Sequence, residues 1–451
     1  MKNTDTGAFI KRVLTLAIPI TIQSVISLSV NLIDNLMIGR LGDIVISACS
    51  LATSFYMLFQ CTIMGIANGG IIVITQSWAQ NKVREVKRII AFCLLASLVC
   101  GLVFGMLGYF FPVQIMSIYS DKTVLYDQGS MYLRIISLSF LMTGISSALI
   151  MMLRAVDNVM FGLHLSIASC VINVMLNYVL IFGKLGFPAL ELKGAAIATV
   201  IARAVELVIC LIYLFFRERK LNFKLKDFTD LPNRSQILSL LKVSLPIFVS
   251  ESYIMINSTF QTMISGHLSE TYMTANSVIH NIWLLCNVFA SGISASAGVI
   301  IGHDIGEDST LKTAYDNAAR LTVLVMIVGV LSGLLILLIG PFIIGIYNIS
   351  DESRQICNQL LLASAIVVFF MACQSGITKG IVRAGGKTHI VLAVDIASSL
   401  LVGLPLGYMC ALVWNLSPFV IYVALRSNYI ALTLWGLYKI RKKNWIIKLD
   451  K

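Results

Sequence analysis

Charged residues are scarce in this chain of 451 residues: only 12% are Asp, Glu, Lys or Arg, whereas 58% are hydrophobic. A typical soluble domain carries roughly 25% charged residues. No soluble core could bury so much apolar surface, and the composition therefore requires lipid as the solvent. The longest polar stretch covers only about 217–236, which excludes a separate soluble domain.

The sequence also lacks the residue clusters on which metal proteins and many enzymes depend. Its 10 cysteines are scattered and form no CxxC pair, which argues against a disulfide or metal framework. The 5 histidines form no cluster with metal-ligand spacing. No GxxxxGK[ST] loop is present to hold ATP phosphates. We therefore expect neither an enzyme nor a cofactor, and the energy for any work would have to come from an ion gradient.

Twelve long apolar segments fill most of the chain, and each is close to or above the ~20 residues that a helix needs to cross a bilayer. They are continuous rather than alternating runs, which favours helices over a barrel. The sequence therefore predicts an all-α membrane protein with twelve transmembrane helices. The predicted segments are roughly 13–38, 44–75, 88–111, 129–152, 160–182, 192–216, 238–264, 272–302, 318–343, 358–380, 389–413 and 417–440.

Basic residues are distributed unevenly among the loops, although the net charge of the whole chain is +12. Most lysines and arginines lie at the two termini and in every second loop, which predicts that both termini are cytoplasmic. This asymmetry accounts for the charge without nucleic acid as a partner. The polar start and the long first segment predict no cleaved signal peptide. The opposite loops carry only Arg40, Lys122, Lys184, Lys193 and Arg354.

The chain repeats itself at low identity. LAIPI at 16–20 corresponds to VSLPI at 243–247, and the same offset pairs Gly39 with Gly266. Two similar membrane halves indicate a central cavity between them and a rocking motion about it. The predicted parts are an N-terminal lobe of six helices at 1–216, a cytoplasmic linker at 217–237, and a C-terminal lobe of six helices at 238–451 that ends in a basic tail.

Four carboxylates lie inside the predicted helices, where an ionisable group costs at least ~2.5–3.5 kcal/mol on insertion scales. Asp34 has no Lys or Arg within one helical turn, so it must be protonated, bind a cation, face a wet cavity or bond to amides. Glu206 follows Arg203 by three residues, which favours a salt bridge. Glu251 has no such partner. For Glu251 and Asp395, a functional site and a satisfied or cytoplasm-facing carboxyl both remain open.

Side-chain amides also occur inside the predicted helices. Asn173 and Asn177 lie one turn apart on the fifth helix, and they can either bind a Na⁺-like cation or serve helix packing. Candidates for the lining of a substrate cavity are Gln60, Asn68, Gln261 and Asn287.

Several long motifs resemble the multidrug and toxic compound extrusion (MATE) family of secondary transporters. They include VNLIDNLMIGRLGD in the first helix, GIANGGIIVITQSWAQ in the second, and GIVRAGGKTH followed by DIASSLLVGLPLGY in the second lobe. The most specific motif is INVMLNYVLIFGKLGFPALELKGAAIAT, across the fifth and sixth helices. The resemblance extends over nearly the whole chain.

The resemblance implies a multi-pass exporter of the bacterial inner membrane that antiports amphipathic, often cationic, drugs or metabolites against Na⁺ or H⁺ by alternating access. We expect it to work as a monomer. The family's acidic residues of the first, seventh and eleventh helices correspond to Asp34, Glu251 and Asp395, and its asparagine of the fifth helix corresponds to Asn173. The resemblance therefore implies a site for cation or proton coupling at Asp34, Asn173 and Asn177, and a second acidic site at Glu251 and Asp395. Many members have an aspartate where this chain has Asn177. The missing charge favours a proton on Asp34 alone over Na⁺.

Two other functions remain as alternatives. The first is a flippase for lipid-linked oligosaccharides from the same superfamily, whose cavity should be strongly cationic in order to hold a pyrophosphate. The second is a channel or receptor, although neither a filter loop nor an extracellular binding domain is evident. The first alternative is disfavoured because few basic residues lie inside the predicted helices, namely Arg134, Arg203, Lys242 and Arg426.

Overall fold

The computed structural model describes residues 6–119, 123–307, 310–347 and 349–447, and throughout these ranges the named elements are helices. Among the described residues, 11 helices are long and apolar enough to cross a membrane, or up to 12 if a bent pair counts as one span. The prediction of an all-α protein with twelve membrane helices is confirmed. Lys122, one of the loop residues predicted to lie opposite the termini, is outside the described residues.

The first half of the chain forms helices of very different lengths. The predicted fourth segment is broken near Ser137, where one helix ends and the next begins. A π-helical turn, Tyr213–Arg217, extends the last helix of this half. The helices are α1 (Thr6–Gly39), α2 (Asp43–Ala79), α3 (Val83–Phe110), α4 (Pro112–Tyr119), α5 (Tyr126–Ile136), α6 (Leu138–Ala155), α7 (Val159–Phe182) and α8 (Glu191–Ile212).

The second half contains several π-helical segments between its α-helices, Gln374–Val382 being the longest at 9 residues. Its last two helices form the bent pair, with an angle of 46° between them. The helices are α9 (Arg234–Gly266), α10 (Glu270–Glu307), α11 (Lys312–Ile346), α12 (Asp351–Cys373), α13 (Thr388–Ser398), α14 (Leu404–Tyr408), α15 (Pro418–Leu425) and α16 (Asn428–Lys442).

Packing divides the chain into two compact units. The N-terminal unit is Ile22–Phe248, and the C-terminal unit combines Met1–Thr21 with Val249–Lys451. The start of α1 therefore packs with the C-terminal helices, and the start of α9 packs with the N-terminal ones. Both changes of unit come two residues after a proline inside the helix, Pro19 in one case and Pro246 in the other. The limits of these packing units are not those of the lobes at 1–216 and 238–451, and the division into those lobes remains a prediction.

A glycine fixes the connection between α7 and α8, the two helices that carry most of the predicted polar residues of the N-terminal unit. Gly183 follows α7 with a φ of 64°. A Cβ at this position would lie only 2.6 Å from the backbone nitrogen of Ala189. Because an L side chain would be strained here and would also clash, glycine is required for this tight return of the chain.

The linker predicted at 217–237 packs on the N-terminal unit. Leu221 and Phe223 are only 1% and 2% exposed, and both belong to the hydrophobic core of this unit. Asp230 accepts hydrogen bonds from Arg88 Nε at 2.8 Å and from Arg84 Nε at 2.9 Å. These bonds, chiefly those from Arg88, lower the pKa of Asp230 below its ordinary value. Part of this segment is therefore folded against the unit, and its role as a linker between two lobes remains a prediction.

The tail after α16 packs on the C-terminal unit. The Trp445 side chain is fully buried, and a Cβ on Gly385 would lie 2.6 Å from its ring. The backbone nitrogen of Ile447 donates to the carbonyl oxygen of Gly385 at 2.7 Å. Lys387 Nζ donates to the carbonyl oxygen of Asn444 at 2.5 Å. This basic tail is thus partly an element of the folded unit.

Candidate functional site

The structure brings together the three residues predicted as a coupling site. Asn177 Nδ2 on α7 donates to Asp34 Oδ1 on α1 at 2.5 Å and to Asn173 Oδ1 at 3.1 Å. Asn173 and Asn177 are 5% and 2% exposed, and Asp34 is partly buried. The helical spacing of the two asparagines aligns their amides, and α1 adds the carboxylate. The three residues therefore form one polar cluster, which we call the Asp34 cluster.

One oxygen of this cluster has no partner. Asn177 Oδ1 is buried and makes no hydrogen bond. The amide cannot simply turn over, because its oxygen would then face the Asp34 carboxylate. A buried polar atom without a partner costs about 1–3 kcal/mol. The free amide oxygen beside a carboxylate is therefore suited to receive a cation or a proton donor, and oxygen ligands are those that hard cations prefer.

The predicted salt bridge on α8 is confirmed. Arg203 Nη1 lies 2.6 Å from Glu206 Oε2, and Ser169 Oγ on α7 donates to the same oxygen at 2.8 Å. Glu206 is 5% exposed. Its charge is compensated by these neighbours, so its presence in the membrane is explained without a ligand.

Glu251, which has no such i,i+3 partner in the sequence, is paired with cations from a distant segment, so the alternative of a satisfied carboxyl is the one observed. Arg383 Nη1 lies 3.0 Å from Glu251 Oε1, and Lys379 Nζ lies 3.9 Å from Glu251 Oε2. Lys379 lies in the π-helical segment that follows α12, and Arg383 comes directly after that segment. Both are far away in sequence from Glu251 on α9. Asp395 on α13 is 6% exposed and accepts a hydrogen bond from Ser250 Oγ at 2.8 Å. The second predicted site thus contains two carboxylates and two cations.

Three of these side chains line a cavity of about 240 Å³ inside the C-terminal unit, which we call the C-terminal cavity. Glu251, Asp395 and Lys379 line it, together with Asn287 on α10. Lys379 is absent from the basic residues that the sequence assigns to helix interiors. The pattern is misleading here because Lys379 lies at the end of its apolar run that is predicted to be cytoplasmic, where it resembles a topology-setting loop residue.

The other amides predicted to line a substrate cavity contact their own units. Gln60 Nε2 donates to Tyr56 Oη at 2.5 Å, one turn earlier on α2. Gln261 Nε2 donates to the carbonyl oxygen of Leu425 at 3.0 Å. Asn68 Nδ2 lies 3.9 Å from Met64 Sδ. Of the four candidates, Asn287 is the one that lines the C-terminal cavity.

Sequence reasoning missed a further buried carboxylate within the long helices. Asp304 is 3% exposed near the end of α10, beyond the predicted limit of the eighth helix at 302. It accepts hydrogen bonds from Asn317 Nδ2 at 2.8 Å and from Arg12 Nη1 at 3.3 Å. The sequence feature that could have indicated a buried carboxylate was Arg12, a basic residue at the start of the first apolar segment. This ion pair holds the start of α1 in the C-terminal unit.

The internal repeat is visible in the contacts of two arginines. LRA at 153–155 corresponds to VRA at 382–384 in the sequence. Arg154 Nη2 donates to Gln23 Oε1 at 2.6 Å, and Arg383 Nη2 donates to Ser250 Oγ at 3.4 Å, so each arginine contacts the first long helix of its half. A carboxylate beside the arginine is described only in the C-terminal unit, where Glu251 binds Arg383.

Comparison with known proteins gives relatives that cover the full length of the chain. The probable multidrug resistance protein NorM of Photorhabdus laumondii is 23% identical over 98% of this chain and 97% of its own length. The probable multidrug resistance protein YoeA of Bacillus subtilis is 22% identical over 96% and 94%. A solved structure of the Vibrio cholerae MATE transporter VcmN superposes with a TM-score of 0.88 at 18% identity, covering 98% of each chain.

The family model named MatE matches this chain twice, at residues 19–179 and 246–409. The two matches begin at the prolines of α1 and α9 and correspond to the two halves of the internal repeat. Together they cover well over half of the sequence. The chain therefore belongs to the MatE family, whose members are membrane transporters.

Proposed function

We propose that this protein is a secondary active multidrug exporter of a bacterial inner membrane, with both termini in the cytoplasm. It antiports amphipathic, often cationic, organic compounds against Na⁺ or H⁺. The observation that carries this proposal is the Asp34 cluster, in which a carboxylate within a membrane helix is held by two buried amides beside an unpaired amide oxygen. The names of NorM and YoeA support the substrate class.

Coupling requires that loading of the Asp34 cluster changes the equilibrium between two states. A ligand can shift such an equilibrium only as far as its affinities for the two states differ. An ion bound at Asp34 neutralises the carboxylate. The hydrogen bond that Asn177 Nδ2 donates to this side chain is then weaker. In this mechanism the ion and the drug compete, because each favours the state in which the other is released.

The test is efflux of ethidium from proteoliposomes under Na⁺ and proton gradients that are imposed separately. We expect ethidium efflux under the Na⁺ gradient, the proton gradient or both. We expect no efflux when neither ion gradient is imposed. Asp34 carries the coupling ion in either case. Flux that runs down the ethidium gradient alone, at the same rate with or without an ion gradient, would instead identify a channel and overturn the proposal.

Replacing Asn177 by Asp should strengthen dependence on Na⁺. The substitution places a second carboxylate beside Asp34, and affinity of oxygen sites for hard cations rises with the number of charged ligands. We expect the Na⁺ concentration for half-maximal efflux to fall about tenfold, which corresponds to about 1.4 kcal/mol of binding free energy. Asn415→Asp, on an exposed connection, is the matched control. An unchanged Na⁺ dependence in Asn177→Asp would mean that Na⁺ does not bind at the Asp34 cluster.

The two cations beside Glu251 give little support to the flippase alternative. Lys379 and Arg383 both lie near Glu251, and Asp395 lines the same cavity as Lys379. The formal charges of these four side chains cancel. A pyrophosphate, which carries several negative charges, would meet two carboxylates in this cavity. The charge balance therefore supports the exporter over the flippase.

A further inference from the structure

The C-terminal cavity combines both signs of charge with unpaired polar atoms. We propose that it binds a small aromatic zwitterion, about as large as an aromatic amino acid, with Lys379 contacting the anionic group and Asp395 the cationic group. The proposal rests on the proposed export function for its transport role, whereas binding itself can be tested alone. It departs from a simple cation site, which two carboxylates by themselves would favour.

The size of the cavity sets the first limit on the ligand. At about 240 Å³, the C-terminal cavity lies below the range of roughly 300–1,000 Å³ found for pockets that hold drug-sized molecules. Trp283 and Tyr429 contribute aromatic side chains to its lining. Stacked or tilted aromatic pairs contribute about 0.5–1.5 kcal/mol beyond area burial. A single aromatic ring with short polar substituents therefore fits the space and the lining.

The charged side chains around the cavity set the second limit on the ligand. Arg383 is 6% exposed, and its Nη1 donates a hydrogen bond to Glu251 Oε1 at 3.0 Å. Its guanidinium is therefore already paired with that carboxylate. Lys379 lies at 3.9 Å from the other oxygen of Glu251, beyond ordinary hydrogen-bond distance, and its side chain is 21% exposed. Lys379 is therefore the cation that can approach an anionic group of a ligand at little cost.

Asp395 supplies the opposite charge. Its Oδ2 accepts from Ser250 Oγ at 2.8 Å, which leaves Oδ1 for a donor on the ligand. A simple cation at Asp395 would be repelled by Lys379, and a simple anion at Lys379 would be repelled by the two carboxylates. A ligand that carries both charges avoids both penalties, and such discrimination by repulsion is a general route to specificity.

Three further polar atoms around the same cavity have no hydrogen-bond partner within the described structure. Tyr253 Oη, Trp283 Nε1 and Asn428 Oδ1 are buried and make no hydrogen bond, and all three residues line the C-terminal cavity. Asn428 is only 5% exposed. Two of these atoms are donors and one is an acceptor, which matches the carboxylate oxygens and the ammonium group of an amino acid.

The experiment is equilibrium binding of radiolabelled phenylalanine to the purified full-length protein in lipid nanodiscs, without any ion gradient. Phenylalanine methyl ester carries only the positive charge, and N-acetylphenylalanine carries only the negative charge. We expect unlabelled phenylalanine to compete at least tenfold better than either analogue. Lys379→Gln should weaken phenylalanine binding about tenfold and strengthen binding of the ester, because the ester is then no longer repelled by the charge of Lys379. Lys379→Arg should retain phenylalanine binding. Lys193→Gln, at an exposed lysine of the N-terminal unit, is the control.

Equal competition by all three compounds, or an equal loss of phenylalanine and ester binding in Lys379→Gln, would overturn the proposal. If Lys379→Gln fails to fold, the comparison of the three compounds on the unmodified protein decides the question. Failure here is also distinct from failure of the proposed export function. Binding without ion-driven efflux would refute the exporter alone, and efflux without zwitterion binding would refute this inference alone.

Discussion

Asp34→Asn is expected to reduce ion-driven efflux to the background of liposomes without protein. The amide has the shape of the carboxylate, and its oxygen can still accept the hydrogen bond from Asn177 Nδ2. It cannot ionise, however, and therefore can neither take up a proton nor neutralise a cation. The measurement is ethidium efflux under a Na⁺ or proton gradient, together with the thermal unfolding curve and the yield of inserted protein.

The matched control for this substitution is Asp316→Asn. Asp316 lies on the exposed surface of α11, so its amide variant tests the loss of a carboxylate outside the cluster. We expect normal efflux from Asp316→Asn, and normal folding of both variants. If Asp34→Asn retained the efflux rate of the unmodified protein, Asp34 would have no part in coupling, and the Asp34 cluster would only join α1 to α7.

Glu251→Gln is expected to destabilise the protein by about 3 kcal/mol, because it leaves Arg383 buried without a carboxylate. Removal of one partner from a buried ion pair typically costs about 3–5 kcal/mol. The lower end applies here, since the side chain of Glu251 is 23% exposed and water screens part of the interaction. The check is thermal unfolding of the purified protein, which should show a clearly lowered midpoint.

A double variant separates the ion pair from simple loss of packing. Glu251→Gln combined with Arg383→Gln removes both charges, and we expect it to recover part of the lost stability. Asp395→Asn should have a smaller effect, because an amide oxygen can still accept from Ser250. A Glu251→Gln variant as stable as the unmodified protein would mean that Lys379 and Arg383 do not depend on this carboxylate.

The features that could be predicted from the sequence are those that depend on neighbours along the chain. Hydropathy defines the membrane helices because each span is one continuous apolar run, and the pair of Arg203 with Glu206 follows from their spacing on one helix. The joint position of Asn173 and Asn177 follows from the same helical period. Their contact with Asp34 on another helix was an expectation from family resemblance, which the hydrogen bonds of the structure now support.

The features that the sequence did not disclose depend on contacts between distant segments. Glu251 has no cation nearby in sequence, and its partners Lys379 and Arg383 come from another helix. Hydropathy also ended the eighth helix too early, because Asp304 interrupts the apolar pattern although the helix continues around it. An ionisable residue near a helix end looks like a loop residue until its partner, here Arg12, is known.

The exchange of helix starts between the two units bears on how such a chain could have arisen. The first part of α1 packs with Val249–Lys451, and the first part of α9 packs with Ile22–Phe248. If an ancestral gene encoded only one half, its product would have left this first segment without its present packing surface. Two copies that exchanged these segments, as in a domain-swapped homodimer, would have covered the packing surface for the segment on each copy. Gene duplication and fusion would then have joined two subunits that already depended on each other.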